Sequence, residues 1–308
     1  MTQCHFAAVL LIGLGSGGCH ILLPLAEPPD RNDGLLDGAS PEGPGSEVGP
    51  LDIFDSLPDS VVDWWSCPLN KDDGNTVLLL RLNDPQPVDA VNSSQHIATI
   101  VNAGTSQVQG PNGCGNALAF TKTNPPSYLK VEAHEDWKLS AGSLDFWVRF
   151  TGPAPDNQNV EGIISRDASG AAGGHLTVYR RCHGTITVRF QVGDTSYYRC
   201  SADNIPQDQW HHVGVNFGAP QGLELYVDGV RAVRTDQLDT CVGTPVTCGE
   251  AISAGIDGNN NAWVIGAANW QSSEETVDTV AHPLQGEVDE VRLSRIRRDF
   301  SALLSTPE

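Results

Sequence analysis

Short strand-like segments bounded by turn residues follow one another from residue 77 to residue 294. Strict alternation in SLDFWVRF (143–150) places its apolar side chains on one face of a strand. The pairs Gly193-Asp194 and Asp228-Gly229 have the composition of tight hairpin turns. Long stretches with the apolar spacing of an amphipathic helix are missing from the sequence. The pattern therefore predicts an all-β fold, a two-sheet antiparallel jelly-roll sandwich.

The strand pattern is clearest in segments that contain alternating or continuously apolar residues and end at turn residues. These segments are 77–83, 143–150, 175–181, 185–192, 195–201, 210–217, 223–229, 263–268 and 286–294. All of them lie after residue 70, so we expect one β domain over 70–308.

Charge and hydrophobic content narrow the classes of function. The 308 residues include 38 Asp and Glu against 18 Lys and Arg, a net charge of −20. A chain of this charge repels a phosphate backbone, which argues against a nucleic-acid partner. Hydrophobic residues make up 39% of the chain, which is enough for a packed core.

Residues 20–69 differ in composition from the rest of the chain. Between residues 20 and 63 there are ten acidic residues and a single basic one, Arg31, and the segment includes PEGPGSEVGP. Such a segment cannot bury enough apolar surface to offset its ordering entropy. We expect a disordered, self-repelling tether before the β domain.

The N-terminal 19 residues have the pattern of an export signal. The apolar run Phe6–Leu14 is too short to span a bilayer and is followed by small residues and Cys19. The ending SGGC resembles a bacterial lipobox, in which the cysteine is lipidated, although Ser16 replaces the usual leucine. The alternatives are an ordinary secretory signal or a chance apolar N-terminus. We therefore expect a bacterial envelope protein, anchored to the membrane by lipid at Cys19, or a secreted one.

Cysteine usage also favours export. Apart from Cys4 and Cys19, the chain contains six cysteines, an even number: Cys67, Cys114, Cys182, Cys200, Cys241 and Cys248. They show no CxxC spacing and no regular histidine spacing accompanies them, so a structural zinc site is not expected. An even set in an exported chain predicts up to three disulfides.

The pairing of these cysteines stays open. The pairs considered are Cys67–Cys114, Cys182–Cys200 and Cys241–Cys248. The last would close a short loop. Cys182 and Cys200 would flank a middle strand, about 10 Å apart, which is too far to bridge unless the strand ends curl.

Seven segments occur in the order found in one known family. They are GNALAF (115–120), SLDFWVRF (143–150), GIISR (162–166), QWHHVGVNF (209–217), LELYVDGV (223–230), WVIGAA (263–268) and GEVDEVRLSRIRRDF (286–300). Over roughly 76–300 the chain resembles the laminin-G-like, concanavalin A-like jelly-roll domain of bacterial surface proteins. The resemblance implies two curved antiparallel sheets and a binding or adhesion role, usually without catalysis. Some relatives bind calcium and sugars.

Aromatic residues near polar ones are the candidates for ligand binding. Trp270 follows the 263–268 strand, where its ring could stack on a sugar while Asn269 or Gln271 bonds the hydroxyls. Tyr197 and Tyr198 must point to opposite faces of their strand, so one of them could meet a ligand. The alternative for Trp270 is packing against a neighbouring loop.

Two aspartates are candidate calcium ligands. Asp257 in AGIDGNNNAW and Asp167 in SRDASGAAGG offer oxygen atoms of the kind that calcium prefers. The alternative is that both segments are ordinary turns, since Gly, Asn and Asp tolerate left-handed conformations. Calcium is the one cofactor that the sequence suggests.

An enzyme would have to use the carboxylates of the last strand. Retaining glycosidases need two carboxyl groups about 5–5.5 Å apart. Glu287 and Asp289 share one face of a strand, Val291 follows where a third carboxylate could stand, and Glu290 points the other way. Ion pairs of the family's closing strand explain the same residues without catalysis.

We therefore expect a non-catalytic module that binds a glycan or an extracellular protein surface. A glycoside hydrolase or lyase using Glu287 and Asp289 is the first alternative, and it requires that both face an open cleft. A structural envelope component without a small ligand is the second.

Overall fold

Two antiparallel β-sheets pack face to face in the computed structural model of this chain. The structure describes residues 70–102, 104–156, 160–167, 173–202, 204–235, 237–238, 246–249, 251–269 and 280–301. The predicted signal and tether, together with Cys19 and Cys67, lie outside these residues. Within them, no helix has the length and apolar character needed to cross a membrane.

Strands account for nearly all of the regular structure. In chain order they are β1 (Thr76–Leu80), β2 (Ala98–Val101), β3 (Thr105–Gln109), β4 (Asn116–Phe120), β5 (Tyr128–Val131), β6 (Ala141–Phe150), β7 (Glu161–Arg166), β8 (His175–Arg180), β9 (Ile186–Val192), β10 (Thr195–Cys200), β11 (Trp210–Gly218), β12 (Glu224–Val227), β13 (Val230–Arg231), β14 (Gln237–Leu238), β15 (Val246–Thr247), β16 (Trp263–Ile265) and β17 (Gly286–Ser294). Two 3-10 turns, Pro111–Gly113 and Glu135–Trp137, interrupt the series.

Each sheet combines strands that are distant in sequence. The first sheet has the order β13-β12-β11-β6-β17-β4-β3, with β1 also beside β17. The second has the order β10-β9-β8-β7-β16-β5-β2, and β14 and β15 form a separate pair. The predicted two-sheet antiparallel sandwich is confirmed.

The space between the sheets is filled by alternate residues of the facing strands. From the first sheet, β6 contributes Leu144, Phe146, Val148 and Phe150, each at most 1% exposed. Opposite them, β8 and β9 contribute Leu176, Val178, Ile186, Val188 and Phe190 to the same cluster. Because side chains alternate along a strand, the intervening residues of β8 and β9 must lie on the outer face of the second sheet.

Turn chemistry fixes where several strands end. The predicted hairpin turn between β12 and β13 places both Asp228 (φ 48°) and Gly229 (φ 78°) in the left-handed region, which matches a tight hairpin. The strand predicted over 263–268 stops earlier, at Ile265, because Gly266 has φ 87° and its α-carbon faces the ring of Phe120. A side chain at Gly266 would collide with that ring.

Cys200 at the end of β10 forms a disulfide with Cys248, with their α-carbons 5.8 Å apart. The backbone N–H of Gly249 donates to the carbonyl of Tyr198 at 2.9 Å, which brings Cys248 alongside the edge strand β10. The pairings Cys182–Cys200 and Cys241–Cys248 are therefore wrong. Cys114 and Cys182 are each disulfide-bonded as well, whereas Cys67 and Cys241 lie outside the described residues.

Strand β17 carries two adjacent carboxyl groups that are almost fully buried. Asp289 is 2% exposed and Glu290 is 1% exposed. The pairing of β17 with β6 is irregular between Asp289 and Arg292, and Glu290 has φ 50°, so both residues lie at a bulge. Burial raises the pKa of Asp289 to about 8 and the pKa of Glu290 to about 7. Both groups therefore hold a proton in the folded chain at pH values where an unfolded carboxyl is ionised.

Replacing the Cys200–Cys248 disulfide should lower the free energy of unfolding. The bond closes a loop between residues 48 apart in sequence, and removing a bond of this kind costs about 2–4 kcal/mol. We expect the Cys200→Ser/Cys248→Ser double variant to show this loss in urea unfolding. Mass spectrometry of a non-reduced digest of the wild-type chain should show the two cysteine peptides linked, and their absence would contradict the pairing.

Stability should fall as pH rises through neutrality because of Asp289 and Glu290. An unfolded carboxyl ionises near pH 4, whereas these two ionise near pH 8 and 7 when folded. Their contribution is complete below about pH 4 and is lost as pH rises through their folded pKa values. We expect the free energy of unfolding to drop by at least about 1 kcal/mol between pH 4 and pH 8, since a difference of one in pKa corresponds to about 1.4 kcal/mol.

The Asp289→Asn variant tests this origin because it removes an ionisable group while keeping the side-chain shape. It should flatten the pH dependence measured by urea unfolding. The matched control is Asp257→Asn, which alters an exposed carboxylate and should leave the slope unchanged. An unchanged slope in Asp289→Asn would mean that other groups cause the dependence.

Candidate functional site

The outer face of the second sheet carries a row of polar side chains. Ser165 on β7 lies directly opposite Thr177 on β8, and Thr177 lies directly opposite Arg189 on β9. All three are less than 10% exposed. Three adjacent strands therefore present polar groups away from the apolar core, at a place where those groups must find partners other than bulk water.

Asp167, one residue beyond β7, is the central partner of this row. Its fully buried carboxylate accepts a hydrogen bond from Arg189 Nη1 at 2.9 Å and from Thr177 Oγ1 at 3.3 Å. The same carboxylate is paired with Nδ1 of His175. A buried carboxylate is tolerated when it is paired and hydrogen-bonded in this way.

Asn269 joins the same cluster. It is 1% exposed, and its Nδ2 donates to the Asp167 carbonyl at 3.1 Å. Its Oδ1 accepts from the Asp167 backbone N–H at 3.2 Å and from Ser165 Oγ. The structure thus brings together two residues that the sequence predicted for separate roles, and it uses the Asn269 amide to position Asp167.

The tyrosines of β10 extend the polar face toward solvent. Tyr198 lies opposite Arg189, and Tyr197 lies opposite the core residue Phe190. Both tyrosines are partly exposed, but only Tyr198 shares the face of Arg189. Arg189 Nε also donates to Ser196 Oγ at 3.2 Å on the same strand. We call this set the polar face; it consists of Ser165, Asp167, His175, Thr177, Thr187, Arg189, Ser196, Tyr198 and Asn269.

Two buried polar atoms of the polar face lack a hydrogen-bond partner within the described part of the chain. They are Nε2 of His175 and Oγ1 of Thr187, and both residues are at most 1% exposed. A buried donor or acceptor without a partner is costly, so such atoms indicate a missing water or ligand.

The other predicted binding residues are not part of the polar face. Asp257 is exposed on a turn. Nearby, the buried Asn259 donates to the carbonyl of Arg166 at 2.8 Å, which gives the GIDGNNNAW segment a structural role. Trp270 and Gln271 lie outside the described residues. Calcium at Asp257 or Asp167 therefore stays a prediction.

The carboxylates required for an enzyme do not face an open cleft. Glu287 is 5% exposed and forms an ion pair with Arg149 of β6. Asp289 is buried at the bulge described above, and Val291 is 1% exposed. Among the described residues, this arrangement matches the ion pairs of a closing strand.

A small cleft lies elsewhere on the described surface. Its volume is about 290 Å³, and it is lined by Lys122, Pro155, Asp156, Val160, His282 and Pro283. This volume is at the small end of the range for ligand pockets. The Lys122 ammonium at its wall is already paired with Glu161 at 2.7 Å.

One cluster of chemically capable residues was missed by the sequence analysis. His96, His134 and Asp136 each place one possible ligand atom within 4.8 Å of the others. The three are spread over 41 positions and follow no metal-binding spacing. Only the pairing of β2 with β5, which the sequence did not predict, brings them together.

The fold of this chain resembles that of several solved structures. The binding domain of Paraclostridial Mosquitocidal Protein 1 superposes with a TM-score of 0.51 at 14% identity, covering 75% of this chain and 51% of that one. A domain of an extracellular arabinanase from Geobacillus stearothermophilus, solved with arabinotriose, gives 0.50 at 15% identity, covering 74% and 98%. A structure of botulinum neurotoxin type C, described by the dependence of cell entry on two ganglioside molecules, gives 0.50 at 12% identity, covering 76% and 52%. The chain thus spans about half of the toxin domains and nearly all of the arabinanase domain.

Sequence comparison agrees with the structural one. Curated protein sequences contain no significant match to this chain. A family model described as the concanavalin A-like lectin/glucanases superfamily matches residues 123–298, more than half of the chain. The protein therefore belongs to the laminin-G-like branch of the concanavalin A-like lectin and glucanase superfamily.

Proposed function

We propose that this chain is an exported surface protein whose β domain binds a carbohydrate without catalysis, through the polar face of the second sheet. The observation that carries the proposal is the arrangement around Asp167. Asp167 and Arg189 form a buried ion pair. Tyr198, on the next strand, lies opposite Arg189, and its side chain is partly exposed.

The chemistry of this face fits a sugar. Sugar hydroxyls both donate and accept hydrogen bonds, and the polar face offers both kinds of group. Nε2 of His175 and Oγ1 of Thr187 are the atoms that still need a partner. The ring of Tyr198 supplies an apolar surface with a polar end, which suits the face of a sugar ring.

The comparisons support a binding role. The arabinanase domain was solved with arabinotriose, and cell entry of botulinum neurotoxin type C depends on two ganglioside molecules according to the description of its structure. Both ligands contain sugars. These likenesses concern the fold, so the sugar bound by this chain has to be identified by experiment.

Export and lipid anchoring complete the proposal. Disulfides such as Cys200–Cys248 persist in oxidising compartments, which supports a location outside the cytoplasm. The apolar run Phe6–Leu14 and Cys19 supply the sequence features of a lipoprotein signal.

Tyr198→Ala should weaken binding to a polysaccharide, whereas Tyr197→Ala should not. The two residues are neighbours of the same type on one strand, but only Tyr198 lies on the polar face. Loss of an aromatic contact of this kind costs about 0.5–1.5 kcal/mol, which corresponds to a two- to tenfold weaker affinity. The measurement is retention of the chain from residue 20 onward on insoluble arabinan, xylan, cellulose and chitin, with calcium and with chelator.

Thermal melts of both variants provide the stability control. Equal loss of retention in Tyr197→Ala and Tyr198→Ala would exclude the polar face as the binding surface. Wild-type retention that disappears with chelator and in Asp257→Asn would support calcium at that turn. Absence of retention on every polymer would contradict the carbohydrate proposal and favour a protein partner or a structural envelope role.

Cys19→Ser should abolish membrane association if Cys19 is lipidated. Expression in a bacterium with labelled palmitate should label the wild-type chain and place it in the membrane fraction. The variant should be unlabelled and leave that fraction. Equal fractionation of both chains without label would indicate an ordinary secretory signal instead.

A further inference from the structure

Three side chains with metal-ligand chemistry converge at the β2–β5 edge of the second sheet, away from the polar face. Asp136 Oδ2 lies 3.0 Å from His96 Nε2 and 3.4 Å from His134 Nδ1. We propose that His96, His134 and Asp136 form a binding site for a zinc ion with one coordination position open to solvent.

Strand pairing explains why these residues meet. His96 immediately precedes β2, and His134 and Asp136 follow β5. The two strands run antiparallel with Ala98 opposite Val131, so the start of β2 lies beside the end of β5. The backbone N–H of Glu132 extends this pairing by donating to the carbonyl of Ile97 at 2.9 Å.

A buried carboxylate orients the His96 ring. Nδ1 of His96 lies 2.5 Å from Oδ2 of Asp89, and both side chains are almost fully buried. Asp89 also accepts the backbone N–H groups of Leu79, Val91 and Asn92 at 2.8–3.0 Å, so its carboxylate is fixed in place behind the ring. With Nδ1 turned to Asp89, Nε2 of His96 lies on the side of Asp136, at 3.0 Å from its Oδ2. A carboxylate behind a histidine is the usual outer partner in zinc sites.

His134 also directs a lone pair at the same point. Its Nδ1 accepts the backbone N–H of Asp136 at 3.2 Å, so that nitrogen carries no proton. A metal would take over this lone pair and leave the N–H to water, since the bond lies at the surface. The ring nitrogens of His96 and His134 and a carboxylate oxygen of Asp136 therefore converge on one point, where a metal ion would replace the proton between His96 and Asp136.

Distances and charge suit a divalent transition metal. Zinc binds His nitrogen and carboxylate oxygen at about 2.0–2.2 Å, and tetrahedral geometry then separates ligand atoms by about 3.4 Å. The contacts of 3.0 and 3.4 Å are close to this value. The carboxyl groups of Asp89 and Asp136 supply the negative charge that a divalent ion would balance.

The exposure of the three side chains increases from His96 to His134 to Asp136. The His96 side chain is 1% exposed, that of His134 is 27% exposed and that of Asp136 is 46% exposed. The buried ring of Trp137 packs against the His96 ring, with their centroids 4.3 Å apart. Three protein ligands with an exposed outer side are typical of zinc sites that keep a position for water or an incoming ligand.

The test is titration of the metal-free full chain with zinc by calorimetry, and with cobalt by visible absorption as a reporter of tetrahedral geometry. We expect one ion per chain at this site and a rise in melting temperature on binding. Since loss of an outer-shell partner already costs 10–100-fold in metal affinity, His134→Ala and Asp136→Asn should each weaken binding by at least about 100-fold. Both residues are partly exposed, so these variants should keep the fold, and their melting curves without metal check this.

His183→Ala is the matched control because His183 is exposed and distant in sequence from the cluster. It should bind zinc as the wild type does. Equal zinc affinity in the wild type and the His134→Ala/Asp136→Asn double variant would overturn the proposal. A His96 ring that carries protons on both nitrogens in a ¹⁵N NMR spectrum, unchanged by added zinc, would also overturn it and show that a proton takes the place of the metal.

Discussion

Burial of one side of every central strand is the constraint on which the rest of this structure depends. The apolar residues of β6, β8 and β9 alternate with polar ones, and the two sheets exclude water only where the apolar sets meet. The alternation that builds the core therefore also places Thr177 and Arg189 on the far side of the second sheet. The candidate binding face is a direct consequence of how the core is made.

Several buried carboxylates of the two sheets are neutralised locally by an arginine. Asp167 is paired with Arg189, Asp145 with Arg292, and Glu161 with Arg180. Asp289 departs from this pattern, because burial without a paired cation leaves its carboxyl protonated near neutrality. The paired carboxylates therefore stabilise the fold over a wide pH range, whereas ionisation of Asp289 destabilises it.

Local sequence signals were sufficient for the longer strands and for tight turns but not for short, partly polar strands or for contacts between distant segments. Alternation in 143–150 and the Asp228-Gly229 turn predicted β6 and the β12–β13 hairpin, because both patterns are set by neighbouring residues. The strands β2, β3 and β5 were missed since they are short and partly polar. The proximity of His96 and His134 could not be predicted without the pairing of β2 with β5. The Cys200–Cys248 bond likewise depends on the contact between the Gly249 backbone and β10, which is distant in sequence.

The two proposed sites can be tested independently because they lie toward opposite edges of the second sheet. The polar face spans β7 to β10, whereas His96 and His134 lie beside β2 and β5 at the other edge, with β16 between. They also differ in chemistry: Asp167 is paired with an arginine and a histidine, while Asp136 contacts the ring nitrogens of two histidines. A sugar would add hydrogen bonds to the first network, and a metal would bind to the nitrogen and oxygen atoms of the second. Loss of either function by mutation should therefore leave the other intact, since the coupling between them would have to pass through the rigid strands β7 and β16.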